Sequence, residues 1–537
     1  MADKYYDYNA AGGGDGSLST PYNTRSLAVS NSITGDKVVA VDGLHAHESG
    51  HFVFDDARDE VSNTYRGATL QANTAETTRV ARTSGSLTAG NNPFIANGII
   101  FDGESGNGGA GVTQAMDIGQ DAAEDLIIQL HNCKWISGTT YGLLLSNRRG
   151  RLEIVNGEIS GALASRLFGA TSSLSGDGNQ VIDIQRLAVN PVGVITGSKK
   201  CIELAQVGAP ANILDIYFKG LSGLLTIGAS ATVTLLDIKT KNDCTVSGFD
   251  LELNADDAAA SVVGIIIRGN SAGHELTNGI ISKGSIKLNS PSGFGISFGL
   301  STTDSHITGG IVTGNAVTGK HYASDTPHNY VMGQGTAGEL KGNTSVDGYV
   351  GFLFSITDTC DASANVAFDC YGPSYYVKGT TAATLKDNIA ICSGKYVQRD
   401  RGILSVAPQG ASDTAGATIQ ENLVIVQDLT KIHSLGYIED VNQVCTFVRN
   451  TYIVPSEQYV EGNDYFSYQN GAGGAANNTL AEWNAQSEVA DDVIVPMPQA
   501  EIAALIKTYK EKISPTPKIM IDTSGNDKVT VGWKVIR

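Results

Sequence analysis

Four short stretches decide the fold: Asn365-Val-Ala-Phe368, Asn388-Ile-Ala-Ile391, Asn422-Leu-Val-Ile425 and Asn450-Thr-Tyr-Ile453. Each sets an asparagine directly before an apolar run of strand length. With Asn343 ahead of them, these asparagines stand 22, 23, 34 and 28 residues apart. A recurrence of about 20–50 residues, with extra residues in some copies, marks a solenoid whose insertions sit in loops. Asparagine suits the position because it tolerates the left-handed backbone region and its amide can bond along a stack of equivalent turns.

Similar segments extend the pattern toward the N-terminus. Gly98-Ile-Ile-Phe-Asp-Gly103, Leu152-Glu-Ile-Val-Asn-Gly157, Val233-Thr-Leu-Leu-Asp-Ile-Lys239, Phe249-Asp-Leu-Glu-Leu-Asn254 and Ser285-Ile-Lys-Leu-Asn289 are short and alternating or apolar. Period-two alternation bounded by turn residues reads as strands. Antiparallel hairpins would join neighbouring strands through frequent two-residue Asn-Gly or Asp-Gly loops, whereas here the strands repeat with a coarse period. The reading is therefore all-β: a parallel β-helix, in which each coil buries its inward side chains against the coils on either side. From about residue 95 to 470, at about 25–30 residues per coil, roughly 13 coils are expected.

This architecture accommodates a chain of 537 residues, which exceeds the ~250–300 beyond which ordinary cores split. It also employs the 63 glycines, which let the chain turn between strands. Residues 1–50 read as an N-terminal cap, 51–494 as the β-helix, and 495–537 as a small C-terminal α/β element for docking or oligomerisation. In that element Ile502, Leu505, Ile506 and Tyr509 share one face of an amphipathic helix, and Lys528-Val-Thr-Val-Gly-Trp-Lys-Val-Ile536 alternates like a strand. A helical lid on the last coil with an edge strand is the alternative for these residues.

The charge balance, 37 basic against 55 acidic side chains, gives −18. Phosphate backbones repel such a surface, so no nucleic-acid partner is expected. Arg148, Arg149 and Arg151 form the one tight basic cluster and read as a solvated loop. No apolar run approaches the ~18–20 residues of a membrane span, so no membrane insertion is expected. The N-terminus has no apolar core of a secretory signal. Seven cysteines, odd in number and without CxxC spacing, read as small buried hydrophobes in a protein that folds in a reducing compartment.

Two stretches carry a family resemblance. Ala11-Gly-Gly-Gly-Asp-Gly-Ser-Leu-Ser-Thr-Pro-Tyr22, followed by Gly35-Asp-Lys-Val-Val-Ala-Val-Asp-Gly43, resembles the opening of right-handed parallel β-helix proteins of the pectate-lyase-like superfamily. Asn450-Thr-Tyr-Ile, Tyr465-Phe and Thr479-Leu-Ala-Glu-Trp483 are similar to the exit of the same group. The resemblance implies a right-handed β-helix over about residues 1–485. It leaves function open, since the fold hosts lyases, hydrolases, epimerases, phage tailspikes and structural proteins. Many relatives are trimers, so it also implies a homo-oligomer, a trimer with grooves between chains.

Candidate site residues come from strand geometry. Asp250 and Glu252 share one side of a strand, about 6.5–7 Å apart, near the lower bound for the two carboxylates of an inverting glycosidase. Arg268 and Lys287 are expected on comparable outward positions, a stripe that suits a charged sugar or is simply a solvated outer face. Asp237, Lys239 and Lys241 form a similar stripe. Tyr371, Tyr375 and Tyr376 offer rings on which sugars stack, or rings that pack between coils. His321 and His328 bracket a polar loop; a surface loop is the reading, rather than a metal pair, and His274, His306 and His433 are also placed in loops. The "NKS" and "RHG" strings of the family's lyases are absent, and no P-loop, dinucleotide fingerprint or catalytic triad motif occurs. No metal or other cofactor is expected, and whether the protein is an enzyme is left open between a polysaccharide lyase and a glycoside hydrolase.

Three functions remain. The first is a phage virion component, tailspike-like, that recognises a host surface glycan; assembly in the host cytoplasm and release by lysis explain a β-helix without a secretory signal. The second is a structural virion decoration or tail-attached protein whose partners are other virion proteins. The third is a secreted, extracellular polysaccharide lyase or hydrolase. The acidic surface does not steer toward acidic polysaccharides, which favours neutral glycans or protein partners.

Overall fold

A computed structural model describes residues 2–513, except 8, 34–35, 48–51, 54–57, 60–63, 66–68, 73–77, 83–86, 89–93, 104–113, 120–125, 138–139, 147–149, 163–165, 171–179, 206–213, 256, 258, 270–274, 300–304, 323–326, 356, 358, 380–381, 409–415, 440–444, 470–474 and 487. Arg148, Arg149, His274 and the alternating run at 528–536 therefore lie outside the described residues.

One coil shows why the sequence folds as it does. Asn242–Ser247, Asp250–Ala255 and Ser261–Arg268 are three strands in succession. Their inward residues Cys244, Val246, Leu251, Leu253, Val262, Ile265 and Ile267 are all buried. None of the three pairs with its chain neighbour. Each pairs in parallel with its counterpart one coil away: Asp250 with Ser222 and Ser285, and Ser261 with Thr232 and Ser292. Three columns of parallel strands result, called the first, second and third sheets in the order of these strands, the first two running together through the long strands Gly150–Gly161, Gln180–Pro191 and Leu214–Ile227. The chain is a right-handed parallel β-helix, with the hand that parallel crossovers overwhelmingly take.

The turn from first to second sheet sets the rung spacing. Among the described residues, Ile99, Cys133, Gly157, Leu187, Leu221, Phe249, Gly284, Asn315, Asn343, Asn365, Asn388, Asn422 and Asn450 lie at equivalent positions, thirteen rungs over the span from 95 to 470 for which about 13 coils are expected, and Gly43 and Thr78 before them and Asp492 after them hold the same position. One expected detail is different. The left-handed residue is the one before each asparagine: Gly314, Gly342, Ala364, Asp387, Glu421 and Arg449 have φ between 53° and 64°. The asparagines themselves point inward and are at most 2% exposed.

Inside the coil they form a directional ladder. Asn343, Asn365, Asn388 and Asn422 each donate through Nδ2 to the next Oδ1 and to a strand carbonyl of the preceding coil, at 2.7–3.1 Å. Each Oδ1 accepts the backbone N–H of the previous asparagine at 3.0 Å. The last rung must only accept, and there the residue is Asp492. Its Oδ1 takes Asn450 N and Nδ2 at 2.8 and 3.0 Å, and its Oδ2 takes Trp483 Nε1 and the Tyr452 hydroxyl at 3.1 and 3.2 Å.

Both ends join the stack directly. Asp3–Tyr6 pairs with Lys37–Ala40, which pairs with Thr69–Ala72 and so with the rung at Phe94–Asn97. Helix α1, Arg25–Ser30, lies at this end, capped by Thr24. At the other end α2, Leu480–Asn484, opens with a Thr479–Glu482 capping box and buries Trp483 against Phe466, ring centroids 4.9 Å apart. The last strand, Val493–Met497, pairs with Thr451–Pro455.

Helix α3, Gln499–Ile513, comes next and lies on the outer face of the second sheet. That face changes character along the stack. Its outward column carries Glu252 and Lys287, then Thr318, then Val346, Phe368, Ile391, Ile425 and Ile453. Ile502 and Ile506 bury themselves against Phe368, Ile391 and Ile425, with Leu505 and Tyr509 alongside, so the helix face read from the sequence covers the apolar stretch. All seven cysteines are buried and unpaired, and burial pushes Cys133, Cys201, Cys370 and Cys445 up to about 12. No helix of the described residues is long and apolar enough to cross a membrane.

Candidate functional site

The structure divides the residues expected to act together. Asp250, Glu252 and Lys287 lie on the outside of the second sheet, and Arg268 lies on the third. Asp250 accepts the Ser285 hydroxyl at 2.6 Å, and Glu252 faces Lys287 Nζ at 3.4 Å across adjacent rungs. Arg268 instead pairs with Asp237 at 3.0 Å. The expected stripe of Arg268 with Lys287 is therefore split between two flanks, because the turn between Ala255 and Ser261 swings the chain onto another sheet.

Arg268 belongs to an ionic chain on the third sheet. Lys200 bridges Glu203 and Asp237 at 2.5 and 2.7 Å, Arg166 pairs with Glu203, and Arg268 closes on Asp237. Burial, then the neighbouring Arg268 charge, lowers the Lys239 amine below the usual lysine range. Glu203 and Asp237 each have cationic partners, so the chain of ions is a structural ladder along the flank.

The tyrosines have two fates. Tyr375 points inward. Its ring stacks on Phe352, centroids 5.0 Å apart, and its hydroxyl donates to the carbonyls of Asn365 and Ile389 at 2.8 and 3.1 Å. It is 1% exposed and has no face for a sugar, which corrects its reading as a stacking platform. Tyr371 and Tyr376 point outward but are 1% and 5% exposed, packed in a second apolar cluster with Val331, Tyr349 and Leu353 against Phe294 and Tyr396, so they too back the surface rather than present a stacking face.

This cluster lies at the corner where the chain passes from the second sheet to the third. The corner loops of successive coils stack and bring their rings together. His321 stacks on Tyr396 at 4.5 Å and 8°, and meets Tyr371 edge-on at 4.5 Å. Tyr349 lies 5.7 Å from Tyr371. His328 sits between Phe294 and Tyr349 at 5.6 and 6.2 Å. The two histidines thus join one aromatic cluster, and no group of three or more metal-ligating side chains exists among the described residues. Burial, with Lys378 nearby, pulls the His328 imidazole down to about 4.

Charges rim the rings. Arg401 lies over Tyr376 at 4.9 Å and pairs with Glu439 at 3.2 Å. Arg399 lies over Tyr349 at 5.7 Å, and the Tyr349 hydroxyl donates to Asp400 at 2.6 Å. Burial and that bond raise the Tyr349 phenol well above its usual range. Lys395 lies over Tyr396 and pairs with Asp347 at 2.7 Å; burial opposes its charge, but Asp347 outweighs it and raises the amine. Rings flanked by guanidinium and carboxylate groups suit a hydroxylated ligand with apolar faces.

Sequence reasoning missed Tyr349, Tyr396, Gln398, Arg399, Asp400 and Arg401. The signal was present in the spacing. The 34-residue interval from Asn388 to Asn422 exceeds its neighbours of 23 and 28, and the surplus includes the corner loop holding Lys395-Tyr-Val-Gln-Arg-Asp-Arg401.

No family model matches the chain, and no curated protein matches it. Among solved structures it is similar to the tailspike protein of E. coli bacteriophage HK620, solved with a pentasaccharide, at 14% identity and a TM-score of 0.36, covering 91% of this chain and 72% of that one. It is also similar to a GH136 lacto-N-biosidase from Eubacterium ramulus, at 11% identity and a TM-score of 0.17, covering 92% and 68%. Likenesses this distant carry over neither a site nor a ligand.

Proposed function

We propose that this chain is a virion-associated β-helix protein of the tailspike-like, pectate-lyase-like kind, which recognises a glycan on the host surface. The observation that supports this reading is the aromatic corner: the half-buried ring of Tyr396 with exposed His321 stacked on it, backed by the buried rings of Tyr349, Tyr371 and Tyr376 and rimmed by Arg399, Asp400, Arg401 and Glu439. An elongated stack repeats its surface every ~4.8 Å, a spacing that suits a ligand extended over several rungs. The acidic balance of −18 favours a neutral glycan. We place the attachment element at 495–537, with the chain functioning as a homo-oligomer.

The test is incubation with host capsule or lipopolysaccharide, read by a reducing-end assay and an unsaturated-uronate absorbance scan beside a binding measurement. Binding without product makes the protein an adhesin. Product makes it an enzyme, and Asp250→Asn with Glu252→Gln then decides whether those carboxylates act: unchanged rates remove them. Absence of both binding and product refutes glycan recognition and leaves a structural virion part.

A further inference from the structure

At the base of the aromatic corner, Asp369, Cys370, Cys392, Gly394, Tyr396, Gln398 and Ile432 line a cleft of about 210 Å³ including its open mouth. Its enclosed part holds about one water-sized group.

The amide of Gln398 is held in one orientation. The backbone N–H of His433 donates to its Oε1 at 2.9 Å, so the other end must be the NH₂ group. Gln398 is only 7% exposed, and its Nε2 has no hydrogen-bond partner. Leaving a buried amide donor unpaired costs about 1–3 kcal/mol, so an acceptor in the cleft would be strongly favoured.

The opposite polarity is also present. Asp369 is 4% exposed, and its two oxygens accept the Ser393 N–H and hydroxyl at 2.7 Å each. A carboxylate oxygen has lone pairs for a second donor. Burial raises the Asp369 carboxyl, opposed by the bonds from Ser393. The cleft thus offers a donor and an acceptor to the same small group, beside the ring of Tyr396. A hydroxyl both accepts and donates; an anion would meet Asp369 with like charge.

We propose that the cleft between Asp369, Tyr396 and Gln398 is a subsite for the hydroxyl edge of a neutral sugar, which accepts from Gln398 Nε2 and donates to Asp369. This rests on the glycan-recognition reading and names the place and the charge class of its ligand. Tyr396 supplies the apolar side, with exposed His321 stacked on its ring.

The experiment uses the full chain, with chitotriose and maltotriose as neutral probes and polygalacturonate trimer as the acidic one, read by saturation-transfer NMR and titration. Gln398→Glu keeps the acceptor for His433 and removes the donor; Tyr396→Ala removes the ring. Thermal unfolding checks that both variants are folded. The expected result is binding of a neutral probe in preference to the acidic one, weakened tenfold or more by each variant. Neutral-probe affinity unchanged in both folded variants overturns the subsite, and the amide then holds only a water. Binding of neither neutral probe, or preference for the acidic one, overturns it as well. Binding to lipopolysaccharide or capsule that survives both variants leaves glycan recognition standing at another place, so the two readings fail separately.

Discussion

Replacing Asn388 by alanine tests the ladder that spaces the rungs. Asn388 makes four side-chain hydrogen bonds. It donates through Nδ2 to Ala362 O and Asn422 Oδ1, and accepts through Oδ1 from Asn365 N and Nδ2, at 2.9–3.0 Å. Asn422 Oδ1 keeps the Asn388 backbone N–H after the change, and Asn365 Nδ2 keeps Leu340 O. The Asn365 backbone N–H and one proton of its amide are left without the acceptor they had. Both are buried, since Asn365 is 0% exposed. At about 1–3 kcal/mol for each unsatisfied buried donor, the loss is about 2–6 kcal/mol. Urea unfolding followed by tryptophan fluorescence measures it. Stability in a stack is nearly a sum over neighbours, so amide exchange should accelerate around rungs 365–422 and much less near rung 187. A loss below about 1 kcal/mol, or exchange raised evenly along the chain, would refute the argument that the amides carry the rung spacing.

Other perturbations have equally definite outcomes. Asp492→Asn puts an NH₂ where Asp492 Oδ2 now accepts from Trp483 and Tyr452, and should cost about 2–4 kcal/mol although it merely extends the asparagine series; a neutral effect on urea unfolding would contradict the acceptor-only end. His328 stays neutral in the fold down to about 4, against an ordinary value of 6.5, so the unfolded chain binds the extra proton between those values. Its contribution, about 1–3 kcal/mol, is present above about pH 6.5 and lost as pH falls toward 4, and His328→Phe should flatten that part of the stability–pH curve. The seven buried thiols should be silent to Ellman's reagent at about pH 8 in the native protein and all react in guanidinium; a thiol that reacts in the native state would show an opening of the core. Ile506→Asp, which buries a charge against Phe368, Ile391 and Ile425, should release α3 to proteolysis without unfolding the coils, and truncation after Ile513 should leave α3 docked while testing 514–537 as the anchor; simultaneous melting of α3 and the β-helix would show that the helix is part of the cooperative core.

The β-helix was legible because its determinants are local and periodic. Each strand carries its own alternation, and each turn its glycine or asparagine, so the rule for one coil is the rule for the next. The helix face Ile502, Leu505, Ile506 and Tyr509 was legible for the same reason. What it packs on was not, since the column Val346, Phe368, Ile391, Ile425 and Ile453 is assembled from five coils, one residue each. The left-handed position was misplaced by one residue because several residue types occupy it, whereas the asparagine beside it repeats.

The candidate site was decided by tertiary structure. Asp250 and Glu252 share a face in any strand, and that much comes from the two-residue period. Whether Arg268 and Lys287 join them depends on which flank each strand occupies, and the loop lengths that choose the flank vary from coil to coil. Tyr375 and Tyr376 are adjacent in sequence, yet one stacks on Phe352 in the core and the other lies beneath Arg401 outside it. The corner draws His321, Tyr349, Tyr371 and Tyr396 from four successive rungs. Their sequence separations record only how much chain each coil spends before returning, while the parallel hydrogen-bond ladder sets the rungs about 4.8 Å apart and so makes neighbours of them.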